Sequence, residues 1–181
     1  MIIIINGSVG VGKTTTAWKM ISKFDKAVML DGDFIGAVHP FEIYDKNRID
    51  YLYQTLLHLI KFHQKHHYQH FVINYVFESH QSLEKLTKYL KETNLPIYVF
   101  WLTASDKIQR QRIKSRGMPK DEEKWSLNRF KQLNKIQKEA SHKGFIGEKI
   151  NTDNLSPEKV VDEVWERIKT KRSKPIKIET G

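Results

Sequence analysis

Cysteine is absent from all 181 residues, which excludes a disulfide framework and any thiolate metal site and makes a reducing, cytoplasmic setting the natural one. Long apolar runs are missing as well. The first, Met1 to Ile5, spans five residues, against the roughly 18 needed to cross a bilayer, so neither a signal peptide nor a membrane helix is expected. Repeats and low-complexity segments do not occur. Acidic residues are scarce relative to basic ones, 21 Asp and Glu against 31 Lys and Arg, for a net charge of +10. Such a surface suits nucleic acid, a phosphorylated substrate, or no partner beyond solvent. The last two readings are favoured over the first. The length and a hydrophobic share of 39 % suit one domain with a substantial core.

What is present begins at residue 1. The β-branched run Met1 to Ile5 leads into Asn6-Gly7-Ser8-Val9-Gly10-Val11-Gly12-Lys13-Thr14-Thr15, which fits the phosphate-loop pattern Gly-x-x-x-x-Gly-Lys-[Ser/Thr] with an additional glycine inside it. A loop wrapped round a polyphosphate must turn successive N–H groups inward, and Cβ atoms at the tightest points would block the approach. Gly7, Ser8, Val9, Gly10, Val11, Gly12, Lys13, Thr14 and Thr15 are therefore the nucleotide-binding candidates. Lys13 reaches the β/γ-phosphates and the Thr14 hydroxyl takes Mg²⁺. The context agrees, with a buried-type strand before the loop and a helix predicted over 13–24, Ala17, Met20, Ile21 and Phe24 on one face.

A second strand, Ala27 to Leu30, runs into Asp31-Gly32-Asp33-Phe34. Carboxylates at the C-terminal end of a strand stand on the rim where open α/β sheets bind ligands. An acidic turn capping the next element is the plainer reading; beside a phosphate loop, acceptor and metal roles are favoured. After a loop over 36–44, a helix starting at Asp45 or Asn47 reaches about Gln64. Histidines 58, 63, 66, 67 and 70 follow near its end, and the i,i+4 pair His63 and His67 has no carboxylate to complete a metal site, so solvated or capping roles are expected. The apolar run Phe71 to Phe77 reads as a central parallel strand that offers Asn74 and Glu78 where phosphate-loop proteins commonly place an aspartate.

A capped amphipathic helix over 79–92 and a strand over 97–102 come next. A helix after Ser105-Asp106 then carries Arg110, Arg112, Lys114 and Arg116 up to Gly117-Met118-Pro119. Arginines on a short segment suit a lid, because guanidinium stacks on adenine and neutralises a transferring phosphoryl group. A helix over 120–140 carrying Trp125, Leu127, Phe130, Leu133 and Ile136 would be the lid's second arm, with Arg129 a weaker candidate. A short strand over 148–151, a turn over 152–158, a last helix and a basic, fraying tail from 169 complete the chain.

The order of phosphate loop, Asp-Gly-Asp, arginine-bearing lid and Asn151-Thr152-Asp153-Asn154-Leu155-Ser156-Pro157 before the last helix resembles the nucleotide and small-molecule kinase branch of P-loop NTPases. Leu30 to Phe34 is similar to the corresponding stretch of gluconate, adenylylsulfate and shikimate kinases. The lid and the turn from Thr152 to Ser156 are similar to the tunicamycin-resistance ATP-binding proteins. The resemblance covers about residues 1–170 and implies a three-layer α/β/α fold with a five-stranded parallel sheet ordered 2-3-1-4-5, a helical lid at about 105–140, and a basic tail over 171–181. It implies ATP and Mg²⁺ as cofactors and γ-phosphoryl transfer to a small-molecule acceptor such as a sugar acid, a nucleoside or nucleotide, or an antibiotic-like compound. Asp33 would take the acceptor's proton and Asp31 would hold the metal's water shell. Lys13 with Arg116 would neutralise the transition state, Arg112 would stack on the base, and Thr152 and Asp153 would contact adenine. The rival readings are an ATP-binding resistance or sequestration protein or nucleotide switch, and, third, a nucleic-acid end kinase; a monomer or homodimer fits each.

Overall fold

The computed structural model describes residues 1–40, 42 and 45–172. Strands β1 (Ile2–Gly7), β2 (Val28–Asp31), β3 (Phe71–Asn74), β4 (Ile97–Thr103) and β5 (Glu148–Asn151) form one sheet in the order 2-3-1-4-5. Every pairing is parallel, with Ile4 of β1 opposite Ile73 on one side and Val99 on the other. Helices α1 (Lys13–Ile21), α2 (Gly32–Ile35), α3 (Lys46–Lys65), α4 (His80–Leu90), α5 (Asp106–Lys114), α6 (Lys120–Lys143) and α7 (Pro157–Arg172) connect or follow the strands.

Alternation along β1 builds both sides of the core. Ile3 and Ile5 join Met20 of α1 and Val164 of α7, whereas Ile2 and Ile4 join Leu52 of α3 and Leu86 of α4. Helices therefore cover both faces, which is what a continuous apolar strand requires. Side-chain caps set several starts: Asp45 accepts from Asn47 N at 2.8 Å, and Ser79 Oγ accepts from Ser82 N at 3.1 Å. Asp45 thereby starts α3, and the helix keeps Leu52, Tyr53, Leu56 and Ile60 inside.

Three expectations are corrected. Helix α1 stops at Ile21 rather than near Phe24, because Lys23 and Phe24 turn their N–H groups onto Met20 and Ile21, which brings the Phe24 ring against Trp165. Strand β3 ends at Asn74 although the apolar run continues to Phe77. Tyr75 N still reaches Ile5 O, but Phe77 N is taken by the side chain of Asn6 at 2.9 Å and the chain leaves the ladder. Residues 169–172 are helical where fraying was expected, with Lys169 and Lys171 paired to Glu166 and Glu148. On α6, Trp125 is 55 % exposed, and the inner face carries Ser126, Phe130, Leu133, Gln137 and Ala140. The rest of the tail expected at the C-terminus, and Tyr44 at the end of the loop after Gly36, lie outside the described residues. No described helix is long and apolar enough to cross a membrane.

Candidate active site

The loop between β1 and α1 has the backbone its glycines require. Gly7, Gly10 and Gly12 hold φ of +150°, +82° and +97°, and a Cβ on Gly7 would lie 2.6 Å from the carbonyl oxygen of Leu102. Helix α1 starts from left-handed Gly12 with no side chain capping it, so its first amides face the cavity unopposed. The Lys13 ammonium donates to Ser8 O across the loop at 3.0 Å. Burial lowers its pKa to about 8; Asp33 and Asp31 act against that shift and Arg116 with it.

The two acids of the Asp-Gly-Asp segment diverge in use. Asp31 ends β2 and caps α2, its Oδ1 accepting from Asp33 N at 2.9 Å. Its other oxygen accepts from Asn74 Nδ2 at 2.8 Å, and the same amide lies 3.4 Å from Thr14 Oγ1. The plain capping reading and the placement beside Thr14 therefore both describe Asp31. Asn74 is buried, and its Oδ1 has no hydrogen-bond partner among the described residues. Thr14 and Asp31 thus bring oxygen donors, the kind Mg²⁺ prefers, together beside the phosphate loop, with the Asn74 amide NH2 between them. Asp33 stands open on the cavity wall yet is ringed by protein; loss of bulk solvent raises its carboxyl pKa, with Lys13 acting against this, Asp31 adding to it and Arg48 opposing it.

Lys13, Thr14, Asp33 and Arg116 line one cavity of about 620 Å³ that runs from the loop into a chamber between α3, α4 and α6. Of the chamber wall, the sequence marks Arg129 and Glu78 but not Arg48 or Ser82. Arg48 of α3 is buried and donates to Glu42 O at 3.0 Å and Gly36 O at 3.2 Å. Arg129 of α6 pairs with Glu78. Tyr53 and Ser82 share a hydroxyl–hydroxyl bond of 2.6 Å, and burial drives Tyr53 up to about 12.

Arg112, Thr152 and Asp153 are brought together, but outside that cavity. Arg112 donates through NH2 to Thr152 O at 2.8 Å and through NH1 to Thr152 Oγ1 at 2.9 Å, on the outer side of the loop near the carbonyls of Gly10 and Val11. The carboxylate of Asp153 accepts from Ser105 N at 2.7 Å ahead of α5. Helices α5 and α6 stand where the lid was expected and grip the loop from behind. Gln109 Nε2 donates to Ser8 Oγ at 2.5 Å and Val9 O at 2.7 Å, and Ser8 Oγ donates to Asn134 Oδ1 at 2.6 Å.

A polar knot lies beneath the loop. Asn6 Oδ1 accepts from Gly7 N at 2.7 Å, Phe77 N at 2.9 Å and Gln137 Nε2 at 2.9 Å, while Asn6 Nδ2 donates to Ile146 O at 2.9 Å. Gln137 also donates to Phe77 O at 3.0 Å and accepts from Trp101 Nε1 at 3.1 Å. A usable signal existed: Arg48, Gln109 and Gln137 each fall on the apolar stripe of their helix, in step with Leu52, Ile113 and Phe130. A polar side chain at a core position must find partners, which marks it as a builder of the site. No group of three His, Asp or Glu among the described residues could hold a metal.

Strand order, phosphate loop and flanking helices define a P-loop kinase-like fold. The model of an AAA domain family matches residues 2–139, and the chain belongs to that family. The tunicamycin resistance protein of Deinococcus radiodurans is similar in structure, with a TM-score of 0.64 at 19 % identity over 92 % of this chain and 94 % of that one. A sugar kinase from Janibacter sp. gives 0.64 at 14 % over 93 % and 94 %. Shikimate kinase from Acinetobacter baumannii, solved with shikimate, gives 0.61 at 17 % over 96 % and 95 %. Among curated proteins nothing matches. The family's phosphate loop implies nucleotide binding, and the neighbours share the fold.

Proposed function

We propose that the protein transfers the γ-phosphoryl group of ATP to the hydroxyl of a small molecule held in the chamber between α3, α4 and α6. The observation that carries this is one continuous cavity shared by the phosphate loop, Asp33 and Arg116. The loop amides and Lys13 hold the β- and γ-phosphates. The acceptor oxygen attacks the γ-phosphorus, the bond to the β,γ-bridging oxygen breaks with its electron pair leaving on ADP, and the hydroxyl proton passes to Asp33. Its raised pKa suits it to take that proton. Arg116, at the edge of the same cavity, adds positive charge where negative charge builds up in the transition state.

Thr14 and Asp31 are the residues that would hold Mg²⁺ and its water shell, with Asn74 beside them to hydrogen-bond a water of that shell. Bound there, the ion neutralises charge on the phosphates. Arg112, Thr152 and Asp153 assemble the surface on which the adenine would rest, outside the chamber. The domain is taken as residues 1–170 and the lid as about 105–140. Because Gln109 and Asn134 hold the loop, closure belongs to the segment from Arg116 to Trp125.

One observation favours a second reading, an ATP-binding protein with little turnover: β3 ends in the uncharged Asn74. Acceptor-stimulated ADP release separates the two. A kinase accelerates when its acceptor is added and loses on the order of 10³-fold or more in Lys13→Ala, at unchanged circular dichroism. ATP consumption that survives Lys13→Ala removes the loop from the mechanism.

A further inference from the structure

The chamber's charge is already spent inside the protein. Three guanidinium groups line the cavity among the described residues: Arg116, which acts on Lys13 at the phosphate-loop end, and Arg48 and Arg129 on the chamber wall. Arg48, 8 % exposed, is taken up by the carbonyls of Gly36 and Glu42 and by the hydroxyl of Tyr75. Arg129 is paired with Glu78, the two side chains 11 % and 27 % exposed. The Glu78 carboxylate thus occupies the position at which an anionic acceptor would meet Arg129. A carboxylate or phosphate entering here would have to displace Glu78 and leave it charged without its partner. The remaining wall is flat and apolar with hydroxyls at intervals: Tyr53, Tyr75, Ile49 and Leu133, the Ser82 hydroxyl, and Trp125 at the rim, 55 % exposed. Aromatic faces of this kind stack on flat rings and not on the shell of a hydrated anion.

We infer that the acceptor is an uncharged alcohol carrying a flat ring, and that Glu78 sets this specificity by keeping Arg129 neutralised. The inference rests on the kinase reading for the word acceptor; the selectivity of the chamber stands apart from turnover. It sets this chain off from the carboxylate-bearing ligand of the similar shikimate kinase. Glu78 is a specificity-determining residue, and Asp33 remains the proton acceptor.

The matched probes 3-hydroxybenzyl alcohol and 3-hydroxybenzoate differ in one group, alcohol against carboxylate. Their affinities are measured by ligand-observed NMR titration, with the phosphate loop filled by a non-hydrolysable ATP analogue so that the anion finds no other cradle. The wild-type chain is expected to prefer the alcohol about tenfold or more. Glu78→Gln, which removes the negative charge set against Arg129, is expected to bring the carboxylate up by about tenfold or more, and Glu78→Gln with Arg129→Gln to abolish that gain. Equal binding of the two probes by the wild type, no binding of either, or an unchanged ratio in Glu78→Gln overturns the inference. Lys13→Ala keeps the probe ratio whatever it does to ADP release. Loss of turnover dependence on Lys13 would therefore sink the kinase reading while the selectivity is judged on the probes.

Discussion

Replacing Asn6 by alanine should unfold the protein at a markedly lower temperature, and the structure supplies the size of the effect. Asn6 is fully buried and satisfies four groups at once: the N–H of Gly7, the N–H of Phe77, the amide of Gln137 and the carbonyl of Ile146. Gln137 keeps its bond to Phe77 O. The two backbone N–H groups have no second acceptor among the hydrogen bonds described. A buried donor left unmade costs about 1–3 kcal/mol, so the pair comes to about 4 kcal/mol. At this chain length each kcal/mol moves Tm by about 2–4 °C, which makes the expected fall about 12 °C. Calorimetry of the two chains at matched pH measures it. Gln137→Ala should cost less, about 1–2 kcal/mol, because Trp101 is only half-buried and its indole N–H can reach water. The double variant should fall short of the sum by about 1 kcal/mol, since the Asn6–Gln137 bond is lost only once. A fall of less than about 3 °C for Asn6→Ala, or strict additivity, would show that the knot does not hold the loop to the sheet.

Further outcomes follow from the same geometry. Lys13, lowered to about 8 by burial, is partly neutral in the free protein above that pH, so ATP binding at about pH 8.5 should take up a proton and weaken as pH rises. Calorimetry in buffers of different ionisation enthalpy reads the uptake, and none at all would refute the placement of Lys13. The linked stability runs the other way: with the folded pKa below the unfolded 10.5, the ligand-free chain gains stability between about pH 8 and 10.5, and Lys13→Met should abolish that gain. Asp33→Asn should leave ATP affinity within about twofold while lowering acceptor phosphorylation on the order of 10²-fold or more; retained turnover would assign the proton to another group. Gly7→Ala, whose Cβ would meet Leu102 O at 2.6 Å, should lose nucleotide binding and lower Tm; a chain that binds ATP normally would mean the loop is not so tightly backed.

Much of the architecture can be read along the chain because it is written in local chemistry. The isoleucines of β1 announce a strand buried on both faces, Gly7 to Thr15 announce the bend after it, and Asp45, Ser79 and Pro157 mark where helices begin. Misreadings arose where a distant side chain overrode the local pattern. Phe71 to Phe77 reads as one strand, yet Asn6, from a strand two places earlier in the chain, takes the N–H of Phe77 and ends the ladder at Asn74. The inward face of α6 is likewise set by a distant partner, Gln137 reaching Asn6.

The linear order of residues by itself determined the phosphate loop, the placement of Asp31 and Asp33 at the end of β2 and just past it, and the strand succession, since each depends on neighbours within a few positions. Folding alone decided what the cavity is made of. Arg48, Glu78 and Arg129 come from three separate elements, and only their convergence neutralises the chamber opposite the loop. Pairings across 51 residues, as between Glu78 and Arg129, carry no periodicity along the chain, because what selects the partner is the packing of α6 against the end of β3.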